Sequence, residues 1–300
     1  MAGGFKHNLL KILSIFSVVR GHNIGLIVLA QYLTSIFILS YETPLIEVVL
    51  DPSLFVIVAS SVGAIASGYI INNFYDLEKD LINRPQKSIL ELLVSQRTKL
   101  SLYFGINILV ILLSALISVK AGLFFSGYIF FIWLYSHKIK KLPIQGNLTS
   151  ALLSITPFFA IFLYFKNYNL LIFVFGFYLL LILAIRDLVK DLENIVGDLT
   201  LDYKTVPVIY GEKAAKLMIS ILIAINCLVS ILLVFCFELG LMHSFFVGSA
   251  IYLCILLFLI WNSRQQQDYN RIHNFLKLLI LAGVLSIVLL DPALILNKIL

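Results

Sequence analysis

Residues 54–80 read LFVIVASSVGAIASGYIINNFYDLEKD, an apolar run that ends in a polar cluster. The apolar part is long enough to cross a bilayer as a helix, which takes about 20 mostly apolar residues. The polar cluster at its end is Asn72-Asn73-Phe74-Tyr75-Asp76-Leu77-Glu78-Lys79-Asp80. Because carboxylates beside a membrane core are energetically costly, those found there are candidate functional residues.

The rest of the chain has the same apolar character. Of its 300 residues, 61% are hydrophobic, whereas soluble domains contain about 45–50% apolar residues. We therefore predict an all-α integral membrane bundle of nine transmembrane helices. The nine apolar stretches, of which the fourth is the shortest, are 24–40, 54–74, 100–119, 121–135, 148–165, 170–186, 217–237, 241–261 and 275–290.

The placement of the basic residues predicts the orientation. With the N-terminus on the cytoplasmic side, all but Lys120, Lys166 and Lys298 of the 22 lysines and arginines belong to cytoplasmic segments and helix ends. This is the bias that the positive-inside rule describes. We predict a multi-pass protein of the cell membrane with both polar clusters facing the cytoplasm. The net charge of +6 follows from this topology and does not indicate nucleic-acid binding. The basic residues are expected to meet membrane lipid headgroups.

In the first cluster, Asn72, Asp76 and Asp80 are spaced i, i+4 and i+8. Residues four apart share a helix face, so the oxygens of these three side chains are expected to line one side of a helix. Glu78 falls off that face and is expected to be solvated.

A second cluster follows the sixth apolar stretch, in which Asp191, Asn194 and Asp198 are spaced i, i+3 and i+7. This spacing also predicts a single helix face, which Asp187 would extend by a turn. Glu193 falls off the face and is expected to be solvated.

Two oxygen-bearing faces at the mouth of a helical bundle suit Mg²⁺, which takes oxygen ligands and commonly combines one or two carboxylates with substrate phosphates. Neither cluster contains His or Cys, so zinc is not expected. Basic residues follow both clusters, at Arg84 and Lys204. Metal and cations together neutralise a diphosphate leaving group, and the apolar spans behind could hold an isoprenoid tail. The residues thus point to ionisation of a polyprenyl diphosphate at the membrane.

Two other interpretations stay open on the residues alone. Each cluster could be a solvated helix end at the membrane surface. Carboxylates at helix ends also occur in ion-coupled and proton-coupled transporters. The pairing of acids with Arg84, Lys138 and Lys140 favours a diphosphate over a free cation.

The two clusters resemble the signatures of the UbiA superfamily of intramembrane prenyltransferases. The family's N-D-x-x-D-x-x-x-D stands here as Asn72-Asn73-x-x-Asp76-x-x-x-Asp80, and its N-R-P is similar to Asn83-Arg84-Pro85. The family's second segment resembles R-E-x-x-K-D-x-E-D-x-x-G-D. It reads here Arg186-Asp187-Leu188-Val189-Lys190-Asp191-Leu192-Glu193-Asn194-Ile195-Val196-Gly197-Asp198. Asn therefore replaces Asp at position 73 and at position 194.

Three flanking segments resemble the same superfamily in the same order. Arg20-x-x-Asn23 resembles R-P-x-N, with Gly21 in place of Pro. Residues 135–141, YSHKIKK, resemble Y-S-x-x-L-K-R, and residues 204–211, KTVPVIYG, resemble K-T-L-P-V-x-x-G. The resemblance covers nearly the whole chain.

The resemblance implies a nine-helix bundle with a central cavity open to the cytoplasmic side, built as one domain over residues 1–300. It implies Mg²⁺-dependent prenyl transfer, in which the diphosphate leaves, an allylic cation forms and the acceptor attacks it. The implied catalytic and Mg²⁺-binding carboxylates are Asp76, Asp80, Asp191 and Asp198, with Asn72 and Asn194 as further ligands. The implied substrate-binding residues are Arg20, Asn23, Asn72, Arg84, Tyr135, Ser136, Lys138, Lys140 and Asn194.

Within the superfamily, the N-R-P, K-D-x-E-x-x-x-G-D and K-T-x-P-V patterns look most like digeranylgeranylglyceryl phosphate synthase-type members. The implied partners are a polyprenyl diphosphate donor, geranylgeranyl diphosphate first, and geranylgeranylglyceryl phosphate as the lipid acceptor. An aromatic quinone or chlorophyll precursor is the alternative acceptor. Asn194 brings no charge to a metal site, so an inactive scaffold is a further alternative unless Asp191 compensates one turn earlier.

Overall fold

The computed structural model describes residues 10, 13–40 and 43–290, and these contain no strand. Nine helices in this part of the chain are long and apolar enough to cross a membrane, as predicted. They are α1 Gly21–Thr34, continued by a π-helical turn Ser35–Leu39, α2 Pro52–Asn83, α3 Gln96–Ile117, α4 Val119–His137, α5 Pro143–Phe165, α6 Leu170–Glu193, α7 Glu212–Cys236, α8 His243–Asn262 and α9 Gln266–Ser286. Shorter helical segments are Leu45–Val49, Pro85–Glu91, Ile139–Lys141, Ile195–Thr200, Val206–Tyr210, Gly240–Met242 and Ile287–Leu289.

Helix α2 is longer than a bilayer requires. Its 32 residues correspond to about 48 Å at the α-helical rise, against a hydrocarbon core of about 30 Å. Asp51 caps the helix, since its side chain accepts a hydrogen bond from the Ser53 backbone N–H at 2.9 Å. The far end continues through the first polar cluster to Asn83. The helix itself therefore carries the first cluster beyond the apolar span.

Seven of the nine helices begin before their predicted stretches, and the ninth does so by the largest margin. The fourth is a helix of 19 residues from Val119, because Ser118 caps it by accepting from the Ala121 N–H at 3.1 Å. The ninth begins at Gln266 rather than at residue 275, with a reciprocal capping box between Gln265 and Asp268. Hydropathy marks only the lipid-buried part of a helix, so polar first turns are missed.

The bundle has a central cavity, as the resemblance implied. Helix α2 packs against α3 and α4, while α6 packs against α5, α7 and α9. The cavity is lined by α1, α2, α4, α5, α6 and α9 and has a volume of about 430 Å³.

Pro157 shapes the cavity wall within α5. Proline has no N–H, so the carbonyl of residue 153 lacks its helical donor. The hydroxyl of Tyr128 donates to the Leu153 carbonyl at 2.9 Å instead. Gln31 of α1 donates to the Pro157 carbonyl at 2.8 Å. These bonds tie α1, α4 and α5 together around the cavity.

Candidate active site

The first polar cluster occupies the last turns of α2, where Asn72, Asp76 and Asp80 share a face as predicted. Asp76 is buried, with 8% of its surface exposed. Lys140 donates to Asp76 Oδ1 at 2.6 Å and to Asn72 Oδ1 at 3.2 Å. Asp80 is half-buried and Glu78 is exposed, as expected for a residue off the face.

Tyr203 completes the surroundings of Asp76, and the sequence did not single it out. Its hydroxyl donates to Asp76 Oδ1 at 2.8 Å across 127 residues of sequence. Burial, followed by the charge of Asp76, raises the pKa of Tyr203. The phenol therefore stays protonated and acts as a fixed donor to the carboxylate.

The prediction that the second cluster forms one continuous helix face is wrong. Helix α6 ends at Glu193, Asn194 is non-helical (φ −106°, ψ 12°), and a separate short helix covers Ile195–Thr200. Asp191 therefore lies on the last turn of α6, whereas Asp198 lies on the short helix. The break turns the chain back towards α2, which a straight helix could not do.

Asp198 nevertheless meets the first cluster. It is fully buried (0% exposed). Lys79, between the two aspartates of the first cluster, reaches Asp198 Oδ1 at 2.5 Å. Thr205 donates to Asp198 Oδ2 at 3.1 Å. Lys79 was not among the predicted site residues, although its place inside the signature was a usable signal.

Gly197 allows the short helix to approach α2 closely. Its backbone N–H donates to Asn83 Oδ1 at 3.1 Å. A Cβ at position 197 would stand 2.4 Å from Asn83 Nδ2, so any other residue would displace the Asn83 amide. The glycine of the second signature therefore permits this hydrogen bond between the short helix and the end of α2.

Arg84 and Glu193 form an ion pair that corrects the prediction for Glu193. Glu193 is 6% exposed rather than solvated, and Arg84 donates to its Oε1 at 2.9 Å. His273 Nδ1 stands 3.8 Å from the other carboxylate oxygen. Arg84 thus links the end of α2 to the end of α6.

The remaining predicted residues divide between cavity, cluster and surface. Arg20, Asn23, Asn72, Tyr135 and Ser136 line the cavity. Lys138 is exposed and Asn194 is buried. The structure therefore brings the predicted site residues, apart from Lys138 and Asp80, to the cavity wall or to the buried contacts around the two clusters.

Tyr69 and Asn147 hold predicted residues in place and were missed. Asn23 donates to the Tyr69 hydroxyl at 3.3 Å, and the Arg20 guanidinium lies 5.0 Å from the centre of the Tyr69 ring. Asn147 donates to Asp191 Oδ2 at 2.9 Å. Tyr69 lies three residues before Asn72 on the same helix, so shared-face spacing was an available signal.

Asn73 makes its side-chain hydrogen bonds to residues outside the two polar clusters. Its amide donates to Glu91 Oε2 at 2.7 Å, and its carbonyl oxygen accepts from the Lys99 ammonium at 2.7 Å. Lys99 is 1% exposed and Glu91 is 3% exposed. Asn73 is therefore the neutral bridge between a buried cation and a buried anion.

Asn73→Asp, which restores the residue of the family signature, is expected to destabilise this protein. An aspartate would place a carboxylate oxygen against Glu91 where a donor now stands. Such an unmade hydrogen bond costs about 1–3 kcal/mol. Adding Glu91→Gln should recover the lost stability. The double variant again has a single carboxylate in the bridge, at position 73 instead of position 91, and the introduced glutamine amide can donate to it. Thermal unfolding in detergent measures both variants, and a stabilising Asn73→Asp would show that the bridge is misassigned.

A second, apolar chamber continues from the central cavity. Its volume is about 350 Å³, and Phe159, Phe162 and Phe175 are among its lining residues. Five residues line both spaces, namely Ala30, Phe158, Leu179, Ile280 and Val284. A polar mouth with an apolar extension suits an amphiphile that has an anionic head and a hydrocarbon tail.

Comparison with known proteins agrees with this geometry. Residues 28–288 match the UbiA prenyltransferase family. A digeranylgeranylglyceryl phosphate synthase of Methanobrevibacter smithii is 26% identical over 271 residues, which is 87% of this chain and 91% of that protein. The synthase of Methanosphaera stadtmanae is 29% identical over 74% of this chain and 82% of its own length.

Solved structures share the fold. A digeranylgeranylglyceryl phosphate synthase structure superposes with a TM-score of 0.68 at 20% identity, covering 93% of this chain and 97% of that one. A UbiA homologue from Archaeoglobus fulgidus bound to GPP and Mg²⁺ gives a TM-score of 0.67 at 17% identity, covering 91% and 99%. With a family match across most of its length and nine membrane-length helices in its described part, this chain belongs to the UbiA prenyltransferase family and is a multi-pass membrane enzyme.

Proposed function

We propose that this enzyme transfers a geranylgeranyl group from its diphosphate to geranylgeranylglyceryl phosphate in a Mg²⁺-dependent reaction. The observation that carries the proposal is the meeting of the two acidic clusters, through Lys79 and Asp198, next to a cavity with an apolar extension. The synthases of M. smithii and M. stadtmanae support the acceptor. The homologue bound to GPP and Mg²⁺ supports the donor class and the metal.

The donor atoms around the two clusters fit Mg²⁺. Asp76, Asp80, Asp191 and Asp198 would hold it, with Asn72 and Asn194, and all of them offer oxygen. In the described part of the chain, no three acidic, His or Cys side chains are grouped tightly enough to enclose an ion. Such a cage is not required, because Mg²⁺ commonly binds through one or two carboxylates and substrate phosphates. When bound, the ion neutralises the charge that develops on the departing diphosphate.

The chain's own cations prepare the site for that substrate. Lys79 and Lys140 neutralise buried Asp198 and Asp76 when no diphosphate is present. Both ammonium groups then stand where an arriving diphosphate can share them. Tyr203 keeps Asp76 in a fixed orientation. The apolar walls beyond the mouth exclude water from the allylic cation until the acceptor hydroxyl attacks it.

We further propose that residues 1–300 form a single domain whose clusters and cavity mouth face the cytoplasm. The charge bias of the sequence supports this orientation. Lys213, exposed at the start of α7, would then be cytoplasmic, and Lys166, at the C-terminal end of α5, would be external. In a variant whose native Cys227, Cys236 and Cys254 are replaced by Ser, a membrane-impermeant maleimide should label Lys166→Cys in intact cells and Lys213→Cys only after the membrane is opened. The reverse pattern would invert the topology.

Prenyl transfer by the purified protein tests the reaction and the acceptor together. The assay uses geranylgeranyl diphosphate with Mg²⁺, presents geranylgeranylglyceryl phosphate or a panel of aromatic acids, and identifies products by mass. The proposal predicts a product with the glycerophosphate lipid that disappears when a chelator is added. A product formed only with an aromatic acid would show that the acceptor is an aromatic precursor and not the lipid. Donor binding without any product would favour the inactive scaffold.

Asn194→Asp tests the effect of the neutral residue in the second cluster. Asn194 is 4% exposed and lies between Asp191 and Asp198 in the chain. A third carboxylate there should lower the Mg²⁺ concentration for half-maximal activity several-fold, because affinity grows with ligand charge. The metal-free protein should unfold more easily, because like charges are brought together. An unchanged Mg²⁺ requirement would remove Asn194 from the metal-binding set.

A further inference from the structure

The central cavity carries a second set of cations that the acidic clusters do not neutralise. Arg186 and Lys190 of α6, Lys277 of α9 and Arg20 before α1 all line it. Within the described residues, none of the four has a carboxylate oxygen within 4.0 Å. By contrast, Lys79, Lys140 and Arg84 each have such a partner at 2.5–2.9 Å. The protein therefore leaves one group of cations without a carboxylate partner while pairing another with carboxylates.

The four cations act as one electrostatic group. Arg186, Arg84 and Arg20 lie within electrostatic range of Lys277, as does the Glu193 carboxylate. Arg20 and the Asp187 carboxylate lie within range of Lys190. Asp187 is the one carboxylate that lines the same cavity. Arg186 Nε is buried and has no hydrogen-bond partner among the described residues. Cations inside a membrane protein are costly unless they are paired, so this group is suited to a bound anion.

We propose that Arg186, Lys190 and Lys277, with Arg20, bind the phosphate of the acceptor lipid. The inference rests on the proposed function and adds the acceptor's binding site to it. A phosphate monoester carries about −1.5 to −2 charges at pH 7, which suits a cavity lined by these four cations and one carboxylate, Asp187. The diphosphate of the donor has its own partners in the acidic clusters and their metal.

The position of the group suits a lipid head. Lys190 is also within electrostatic range of Asp76 and Asp80, so the two anion sites adjoin. Leu278 and Leu281 line the cavity on α9 and are 57% and 38% exposed on the bundle surface. The cavity thus reaches the lipid-facing side next to Lys277. An acceptor could keep its chains in the bilayer while its phosphate meets the cations.

The test compares the phosphorylated acceptor with the same lipid lacking its phosphate, geranylgeranylglycerol. Lys277→Gln and Arg186→Gln should raise the KM for geranylgeranylglyceryl phosphate by about tenfold or more, as expected for loss of a charge-assisted contact. The preference for the phosphorylated lipid over the dephosphorylated one should collapse. The KM for geranylgeranyl diphosphate should stay the same. Lys213→Gln, an exposed lysine outside the cavity, is the matched control and should leave all three values unchanged.

Three outcomes would overturn the site. Variants that keep the wild-type preference for the phosphorylated lipid would show that the cations do not bind the acceptor's phosphate. A raised KM for the donor alone would assign them to the diphosphate instead. If the wild type transfers to neither lipid, the proposed function fails. Equilibrium binding of the two lipids to the wild-type protein then tests the phosphate site independently of transfer. Equal affinity for the two lipids would refute the site.

Discussion

Asp76→Asn is expected to lower prenyl transfer by about 10³-fold while the bundle stays folded. The substitution removes one negative charge from the proposed metal-binding set and changes the shape of the side chain very little. The amide oxygen can still accept from Lys140 and from the Tyr203 hydroxyl, which now donate at 2.6 and 2.8 Å. Lys140 loses its charge partner, so stability should fall as well. The retained hydrogen bonds should keep the bundle folded, and the loss of activity should be the larger effect.

Product formation under saturating Mg²⁺ and thermal unfolding in detergent measure the two effects separately. Glu78→Gln is the matched control, because Glu78 lies on the same turn but is exposed and off the shared face. It should keep wild-type activity. Undiminished transfer by Asp76→Asn would remove the first cluster from the mechanism.

Asp198→Asn is expected to reduce both transfer and stability. Asp198 is fully buried, and its carboxylate compensates the Lys79 ammonium at 2.5 Å. Removing one partner of a buried ion pair typically costs about 3–5 kcal/mol, because the other charge is left without compensation. Transfer should fall by about 10²-fold or more, since the second cluster loses its innermost carboxylate.

Adding Lys79→Met separates the two roles of Asp198. The double variant has no unpaired charge and should recover most of the lost stability, but it should not recover transfer. A double-mutant cycle on unfolding and on activity gives the two coupling energies. Recovery of activity along with stability would show that Asp198 supports the fold and takes no part in the reaction.

The helices were predictable because their signal is local. Each span is a run of apolar residues, and the first cluster follows its span on one continuous helix, so the shared face of Asn72, Asp76 and Asp80 could be predicted from spacing. The extra turns of α9 were not predictable from hydropathy, because residues 266–274 are polar and lie outside the apolar stretch.

The second cluster shows where spacing fails. The helix break at Asn194 lies beside a contact between residues far apart in sequence, that of Arg84 with Glu193 across 109 residues. The spacing of the neighbouring residues in the sequence does not predict this break. The contacts of Tyr203 and Lys79 were also not predictable from spacing. Their partners are determined by the packing of α2 against the short helix Ile195–Thr200 and the residues that follow it. Spacing predicted the shared helix face of Asn72, Asp76 and Asp80, but it could not predict what each acid contacts.

Asn73 shows that a signature position can keep its place while its role changes. The residue stands where the family has Asp, yet its side chain bridges Lys99 and Glu91. The charge near this position is carried by Glu91, which sequence comparison with the signature alone does not reveal.

Binding of geranylgeranyl diphosphate to the purified protein tests the central claim most directly, because it needs no acceptor and no turnover. We propose that the two acidic clusters and Mg²⁺ bind the diphosphate jointly. Binding should therefore weaken by about tenfold or more when Mg²⁺ is replaced by a chelator. It should weaken similarly in Asp76→Asn and Asp198→Asn with Mg²⁺ present. Equal affinity with and without the metal, unchanged in both variants, would contradict the account.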